Sequence, residues 1–447
     1  MNGSVRPYIT SILRVLSLIF FQLAGRKGES QLIYLNLPER LNQKAYSNFH
    51  QCLLSERWSL EMTHDRGNVA TSTKPRLDYA QRPMLVFWET TRACLLACKH
   101  CRASATAEAL PGELTSEAGF ELINQVAAFG RPYPILVLTG GDCLLRPDIF
   151  DLVEHATKLG VPVALSPSVT PSLTSEMIKR ISASGVKAVS ISLDGAIAQT
   201  HETVRGIPGH FAKTVEAIKS LADAGLTVQV NTTVMRSNVD ELAEIAKIVS
   251  VSGAQIWEVF FLVQMGRGIV TEAVTPEEHE EICHFLYDAS QYGFIIRTVE
   301  APFFRRIVTE RINGATASEG SLYRRLSESL VSLMGPATMK MRAHTTATRD
   351  GKGIVFVAYD GEIYPAGFLP KPLGNVRDHP LAKIYRDNLL LREIRSSNFS
   401  GRCGYCEYAD LCGGSRARAY ASTGNALGED PACIYQPEGS PMSLMSD

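Results

Sequence analysis

Between Pro83 and about Val299 the chain alternates short runs of β-branched and aromatic residues with longer amphipathic stretches. Six runs read as strands, at 85–89, 135–139, 162–166, 188–193, 227–233 and 256–263. Short strands separated by helix-length segments pair in parallel as βα units and not as hairpins. The helices between them carry their own end signals: Thr115 is placed to cap a helix over 116–129, and Gly225 stops one over 210–224. Six units are too few to close an eight-stranded barrel. The expectation is an α/β fold, a partial (β/α)6 barrel whose chemistry sits at the C-terminal ends of its strands.

The residues that carry chemistry fall at those ends. Cys94, Cys98 and Cys101 form C-x3-C-x2-C on the loop after the first strand. Three thiolates close together suit a cubane iron–sulfur cluster, in which each iron takes one soft sulfur from the protein and one iron is left open. An open position separates a reactive centre from a closed structural one. Seven of the ten cysteines fall into two tight groups, whereas a disulfide framework would scatter pairs through a small secreted domain, so a reducing cytoplasm is expected. With 45 Lys plus Arg against 46 Asp plus Glu, bulk charge points neither to nucleic acid nor to an anionic membrane. The apolar run 15–24, VLSLIFFQLA, is too short to span a bilayer, though it has the length of a signal-peptide core. An oxygen-sensitive cluster is a poor cargo for export, so residues 1–61 read as an extension or an upstream misread start and are assigned no function.

Gly140-Gly141-Asp142 directly follows the second strand, where two glycines let the backbone approach a ligand with no Cβ in the way. Cys143 beside them reads as a packed thiol, as do Cys52 and Cys283. On the fourth strand, alternation places Ser190, Ser192 and Asp194 on the inner face, where polar groups need polar partners, either a ligand or one another. Asn231 and Thr233 repeat the pattern more faintly on the fifth. Beyond a helical stretch over 300–345, 353–358 reads as a strand, Asp360-Gly361 as a hairpin turn and 362–365 as the return strand. Cys403, Cys406, Cys412 and Cys433 then follow as C-x2-C-x5-C-x20-C. Four thiolates close either a cubane cluster or a tetrahedral zinc site, and chemistry alone leaves both open.

Taken together, C-x3-C-x2-C after strand one, GGD after strand two and SxSxDG on strand four resemble the radical S-adenosylmethionine (radical SAM) superfamily. The resemblance implies that Cys94, Cys98 and Cys101 hold a SAM-binding 4Fe-4S cluster reduced by a flavodoxin or ferredoxin-type partner. It further implies that Gly140, Gly141 and Asp142 meet the SAM amino group and that Ser190, Ser192, Asp194 and Asn231 face its ribose and carboxylate. His100 would be a donor to cluster sulfur. No ribose contact carries over to Ser166-Pro167-Ser168, and the apolar end of strand six at 261–263 suits an adenine face or core packing equally.

The segment CGYCEYADLCGGSRARAYASTGNALGEDPAC resembles the SPASM domain, which favours iron–sulfur over zinc. It implies one auxiliary 4Fe-4S cluster and not two, because no cysteine lies between Cys283 and Cys403, and Ala366 and Ser415 stand where many relatives keep one. The expected order is an N-terminal extension to residue 78, the radical SAM barrel over 79–300, a helical linker over 301–350 and the SPASM-like domain over 351–447. GEIYPAGFLP at 361–370, GNVR at 374–377 and the CEY…CGGSRARA ending most resemble the SPASM proteins of alternative haem and haem-d biosynthesis. A tetrapyrrole substrate is then expected, its carboxylates clamped by arginines such as Arg305, Arg306, Arg416 and Arg418, unless these are ordinary surface charge. The alternatives are a maturase acting on a ribosomal peptide or quinone-cofactor precursor, and a non-catalytic electron carrier. The last would need neither the glycine turn nor the polar strand-four face.

Overall fold

A computed structural model describes residues 77–268, 270–343 and 347–438; the apolar run 15–24 and Cys52 lie outside them. Seven parallel strands succeed one another across the sheet in chain order: β1 (Leu85–Glu89), β2 (Ile135–Thr139), β3 (Val163–Leu165), β4 (Ala188–Ser192), β5 (Thr227–Val234), β6 (Ile256–Phe261) and β7 (Ile295–Val299). The connections carry helices α1 (Ser116–Ala127), α2 (Ile149–Leu159), α3 (Ser175–Ala183), α4 (Ala198–Arg205), α5 (His210–Asp223), α6 (Leu242–Val251) and α7 (Pro276–Ala289). This is a partial α/β barrel. The Thr115 hydroxyl accepts from the Ala118 N–H at the start of α1, and Gly225 follows α5 with φ +79°, as their sequence signals require.

The strands sort their residues by face. On β4, Val189 and Ile191 are fully buried and share one apolar core with Ile178 and Ile181 of α3 and Ile218 and Leu221 of α5, while Ser190 and Ser192 are half-buried on the opposite face. Each fully buried aliphatic side chain stabilises the fold by roughly 1.5–3 kcal/mol, so the helix-facing side carries the stability and leaves the inner face free to be polar.

Two features go beyond the six-strand expectation. β7 extends the parallel run by one strand, paired to β6 from Ile256↔Ile295 to Phe260↔Val299. The later β segment also joins the same sheet. After α8 (Phe304–Ile312) and α9 (Ser321–Met334), β8 (Ile354–Val357) pairs in parallel with the free edge of β1, from Leu85↔Ile354 to Trp88↔Val357. The expected hairpin forms between β8 and β9 (Glu362–Tyr364), and β10 (Gly374–Asn375) adds a further antiparallel strand. The chain ends through α10 (Leu381–Asp387), α11 (Leu389–Arg395), α12 (Arg402–Tyr405) and α13 (Arg416–Thr423), which carry and flank the second cysteine group.

Candidate active site and the four-cysteine pocket

The loop leaving β1 holds Cys94, Cys98 and Cys101, and the turn after β2 is pressed against its stem. Gly141 donates to the Thr91 carbonyl at 2.8 Å and Asp142 to the Ala93 carbonyl at 2.7 Å. A Cβ on Gly141 would lie 2.2 Å from the Ala93 oxygen, and one on Gly140, at φ +154°, 2.5 Å from the Thr91 oxygen. The close approach that these glycines permit is thus to the cysteine loop itself. The Asp142 carboxylate is buried and accepts from the Leu144 and Ser168 N–H groups, each at 3.2 Å, and from the Thr170 hydroxyl at 2.8 Å. Burial still raises its pKa against those bonds. Ser168, set aside in the sequence, also brings its Oγ to 3.7 Å from Cys94 Sγ.

Asp194 ties the end of β4 to the same loop. Its Oδ2 accepts from His100 Nε2 at 2.8 Å and pairs with Arg205 Nη2, while Oδ1 accepts the Thr233 N–H at 2.8 Å. Burial alone would favour the neutral acid, but the Arg205 charge and then His100 hold it well below the usual carboxylate range. Through Nε2, His100 is therefore a partner of Asp194. Arg205 reaches onward from Asp194 to Cys98 Sγ at 3.6 Å. Behind Asp194, His210 Nε2 lies 2.9 Å from the Val169 carbonyl, His201 Nε2 lies 2.8 Å from His210 Nδ1, and His201 Nδ1 accepts the Asp194 N–H at 3.1 Å. That chain is self-consistent with both rings neutral and protonated at Nε2. Burial, then Arg205, pushes His201 down to about 3.

Each thiol of the loop is met by one N–H: Cys94 by Leu96 at 3.3 Å, Cys101 by Ala105 at 3.5 Å and Cys98 by Arg205. Such donors stabilise thiolate and suit the sulfurs to a metal cluster. From the end of β6, Arg267 closes over the loop, donating to the Cys98 carbonyl at 2.8 Å and the Ala105 carbonyl at 3.2 Å. Arg102 links it to β1 through Glu89 at 3.1 Å and to the C-terminal region, with its guanidinium 4.6 Å from the Phe356 ring centroid. On the inner face Ser190 donates to Ser166 at 2.8 Å, and Ser192 is in register with Asn231. Asn231 accepts from Gln229 at 2.8 Å. At 261–263 the Phe261 ring packs on His279 and Phe303 in the core.

Cys403, Cys406, Cys412 and Cys433 line a single pocket together with Gly413 and Gly414. The Gly414 N–H lies 3.4 Å from Cys412 Sγ and Arg416 Nη2 3.7 Å from Cys403 Sγ. At Gly414, φ +63°, a Cβ would stand 3.1 Å from Cys403 Sγ and 2.5 Å from Arg416 Nη2, so the bare backbone is what leaves room beside the sulfur. Burial raises all four thiols, Cys412 and Cys433 up to about 12. Four thiols around one space are a donor set that fits a metal centre. Among the described residues no three His, Cys, Asp or Glu side chains converge as one metal ion would need.

The arginines expected to clamp substrate carboxylates are committed inside the chain. Arg305 donates to the Thr348 and Leu411 carbonyls, and Arg306 pairs with Glu280 and Glu310. Arg416 donates to the Gly414, Ala426 and Gly428 carbonyls, and Arg418 pairs with Asp430. Cys143 and Cys283 are fully buried in the main apolar core.

Residues 88–249 match the Radical SAM superfamily model. Over 357 residues the chain is 37% identical to the AdoMet-dependent heme synthase of Methanosarcina barkeri, spanning 79% of this chain and 97% of that relative. The chain belongs to the radical SAM superfamily. Its radical SAM barrel is followed by a SPASM-like C-terminal region, and the pre-heme d1 synthase of Dinoroseobacter shibae is a further relative, 28% identical over 83% of this chain and 91% of its own length. Solved structures share the fold. AdoMet-bound anSMEcpe superposes with TM-score 0.54 at 17% identity, over 78% of this chain and 93% of that one. Streptococcus suis SuiB with its precursor peptide SuiA gives TM-score 0.56 at 12%, over 97% and 91%. A radical SAM domain implies a SAM-binding 4Fe-4S cluster, and this radical SAM/SPASM chain is an enzyme. Among the described residues no helix is long and apolar enough to cross a membrane.

Proposed function

We propose that this enzyme modifies a carboxylate-bearing side chain of a tetrapyrrole precursor by radical chemistry. The observation that carries the reading is similarity to a haem synthase over 97% of that relative's length, barrel and C-terminal region together. In this reading Cys94, Cys98 and Cys101 hold the SAM-binding cluster, and Cys403, Cys406, Cys412 and Cys433 hold one auxiliary 4Fe-4S cluster. Such a cluster, reduced and with SAM bound, would supply a 5′-deoxyadenosyl radical for hydrogen abstraction.

The chain's own residues divide the remaining work. The Gly140–Asp142 turn fixes the stem of the cysteine loop and offers backbone groups to the SAM amino group. Ser190, Ser192 and Asn231 present the polar inner face to ribose and carboxylate. Asp194 acts through Arg205 and His100, holding the loop by charge-assisted bonds and not by touching SAM. A cavity of about 220 Å³ lies between the end of β6 (Leu262, Val263), the start of α7 (Pro276, His279) and the C-terminal region (Arg418, Ala432). This is below the roughly 300–1,000 Å³ of a typical ligand pocket, so it would receive an edge of a macrocycle and not the whole ring. The domain limits proposed are 79–300, 301–350 and 351–447, the location a reducing cytoplasm, and the electron donor a flavodoxin or ferredoxin-type protein.

Anaerobic reconstitution with iron, sulfide, dithionite and SAM is expected to yield 5′-deoxyadenosine and methionine, and replacing Cys94, Cys98 and Cys101 together by Ala to abolish both. Titration with sirohaem- and coproporphyrin-type compounds should shift the absorption band and raise SAM turnover. SAM cleavage that persists in the triple variant overturns the cluster assignment. Turnover indifferent to that panel but stimulated by a peptide encoded beside the gene overturns the substrate.

A further inference from the structure

Three guanidinium groups around the four-cysteine pocket are buried without an acid. Arg305, Arg349 and Arg416 are 8%, 5% and 0% exposed, and among the described residues none has a carboxylate within 4.0 Å. Their donors go mostly to neutral carbonyls, with Arg349 also donating to the Ser397 hydroxyl at 2.6 Å. Arg349 serves Ile394, Ala409, Asp410 and Cys412, and Arg305 serves Leu411, next to Cys412. Arg416 alone reaches a sulfur, Cys403 Sγ at 3.7 Å. Arg349 and Arg416 also share the Phe399 ring, 5.2 and 4.4 Å from its centroid.

Four acids stand nearby, none within 4.0 Å of the three guanidinium groups, though Asp350 acts on Arg349 and Arg416 at longer range. Asp430 is paired with Arg418, Asp410 accepts from Ser397, Asp350 accepts the Ala417 N–H, and Glu300 is bonded to Ser415. Burying one unpaired charge costs several kcal/mol, and three together repel one another as well. Asp350 supplies one negative charge for the three guanidinium groups, and four thiolates bound to metal would supply the rest.

The barrel's cysteine loop shows the contrasting arrangement. There, too, a guanidinium donates to a sulfur, Arg205 to Cys98, but its charge is already matched by Asp194. One sulfur contact is thus neutralised by an acid and the other is not. Cluster potential follows net charge and hydrogen bonding at the sulfurs, because taking an electron adds one negative charge that a nearby cation stabilises.

We propose that Arg305, Arg349 and Arg416 are the counter-charge of an anionic thiolate-bound centre in the four-cysteine pocket, and that they make it the more easily reduced of the protein's two centres. The proposal rests on the reading of that centre as an auxiliary 4Fe-4S cluster. The test is an anaerobic redox titration followed by electron paramagnetic resonance, with the full chain carrying Cys94, Cys98 and Cys101→Ala isolating the C-terminal signal. In the otherwise wild-type chain the C-terminal centre is expected to reduce first, at the higher potential. Arg416→Gln should shift its reduced-to-oxidised ratio at least about tenfold toward oxidised at fixed potential, which is 59 mV for a one-electron couple, whereas Arg416→Lys should restore it. If Arg416→Gln fails to load iron, Arg305→Gln carries the same comparison against Arg305→Lys. Loading lost in the Gln variants and kept in the Lys variants supports the counter-charge. A fully loaded Gln variant with unmoved potential overturns it, as does loss of loading in both pairs or a C-terminal centre that reduces last. Metal analysis separates the two levels: one zinc in place of the second cubane removes the cluster reading, not the charge argument.

Discussion

At Gly141 the missing side chain decides whether the cysteine loop can close. The atom its Cβ would strike is a backbone oxygen, Ala93 O at 2.2 Å, which cannot swing aside as a flexible side chain would. Gly141→Ala is therefore expected to cost roughly 1–3 kcal/mol or more by displacing the loop stem. Iron analysis should show the barrel cluster depleted while the C-terminal centre keeps its spectrum; a variant with full iron in both would contradict this. The two glycines are legible in the sequence, but not what they approach: a turn after a strand can face ligand or chain, and only the fold brings residues 91–93 there. Ser168, Arg267 and His210 escape the sequence for the same reason. Each acts across a gap of tens of residues or more, and no local spacing marks the contact. The grouping of the cysteines is legible because their type and spacing are written locally in the chain.

The strands divide along a similar line. Six were readable from apolar alternation, while β7 was hidden by Arg297 and Thr298, which leave Ile296 as its one fully buried member. β8 was readable as a strand but not as a neighbour of β1, since a parallel partner about 270 residues away leaves no mark on either segment. Val355 and Val357 are fully buried in that pairing. A chain ending at residue 350 would expose the whole outer edge of β1, an unpaired and apolar strand edge prone to association. Such a truncation is expected to be insoluble or oligomeric by size-exclusion chromatography with light scattering. A monomeric, cooperatively unfolding product would show that the barrel stands without its C-terminal partner.

Across the whole molecule, buried histidines set the acid limit of stability. Burial lowers His201 to about 3 and, with Arg418, His279 to about 4, while His210 and His284 shift the same way. Both His201 and His279 are neutral when folded and take up a proton near pH 6.5 when unfolded, so the unfolded chain binds more protons below that pH. Their contribution is intact above pH 6.5 and declines as the pH falls toward 4, by up to about 1.4 kcal/mol per pH unit for each. Urea midpoints of the anaerobic protein at pH 8, 6.5 and 5 should be level between the first two and fall at the third, and His279→Gln should flatten the fall. Equal midpoints at pH 6.5 and 5 would remove the histidines from this account. The pairing of β1 with β8 also has a consequence for synthesis. The barrel's first strand is flanked by one of its last, so on the ribosome that edge stays open while some 265 residues are added. At about 5–20 residues per second this lasts roughly ten seconds to a minute, during which the β1 edge has no strand beside it on that side.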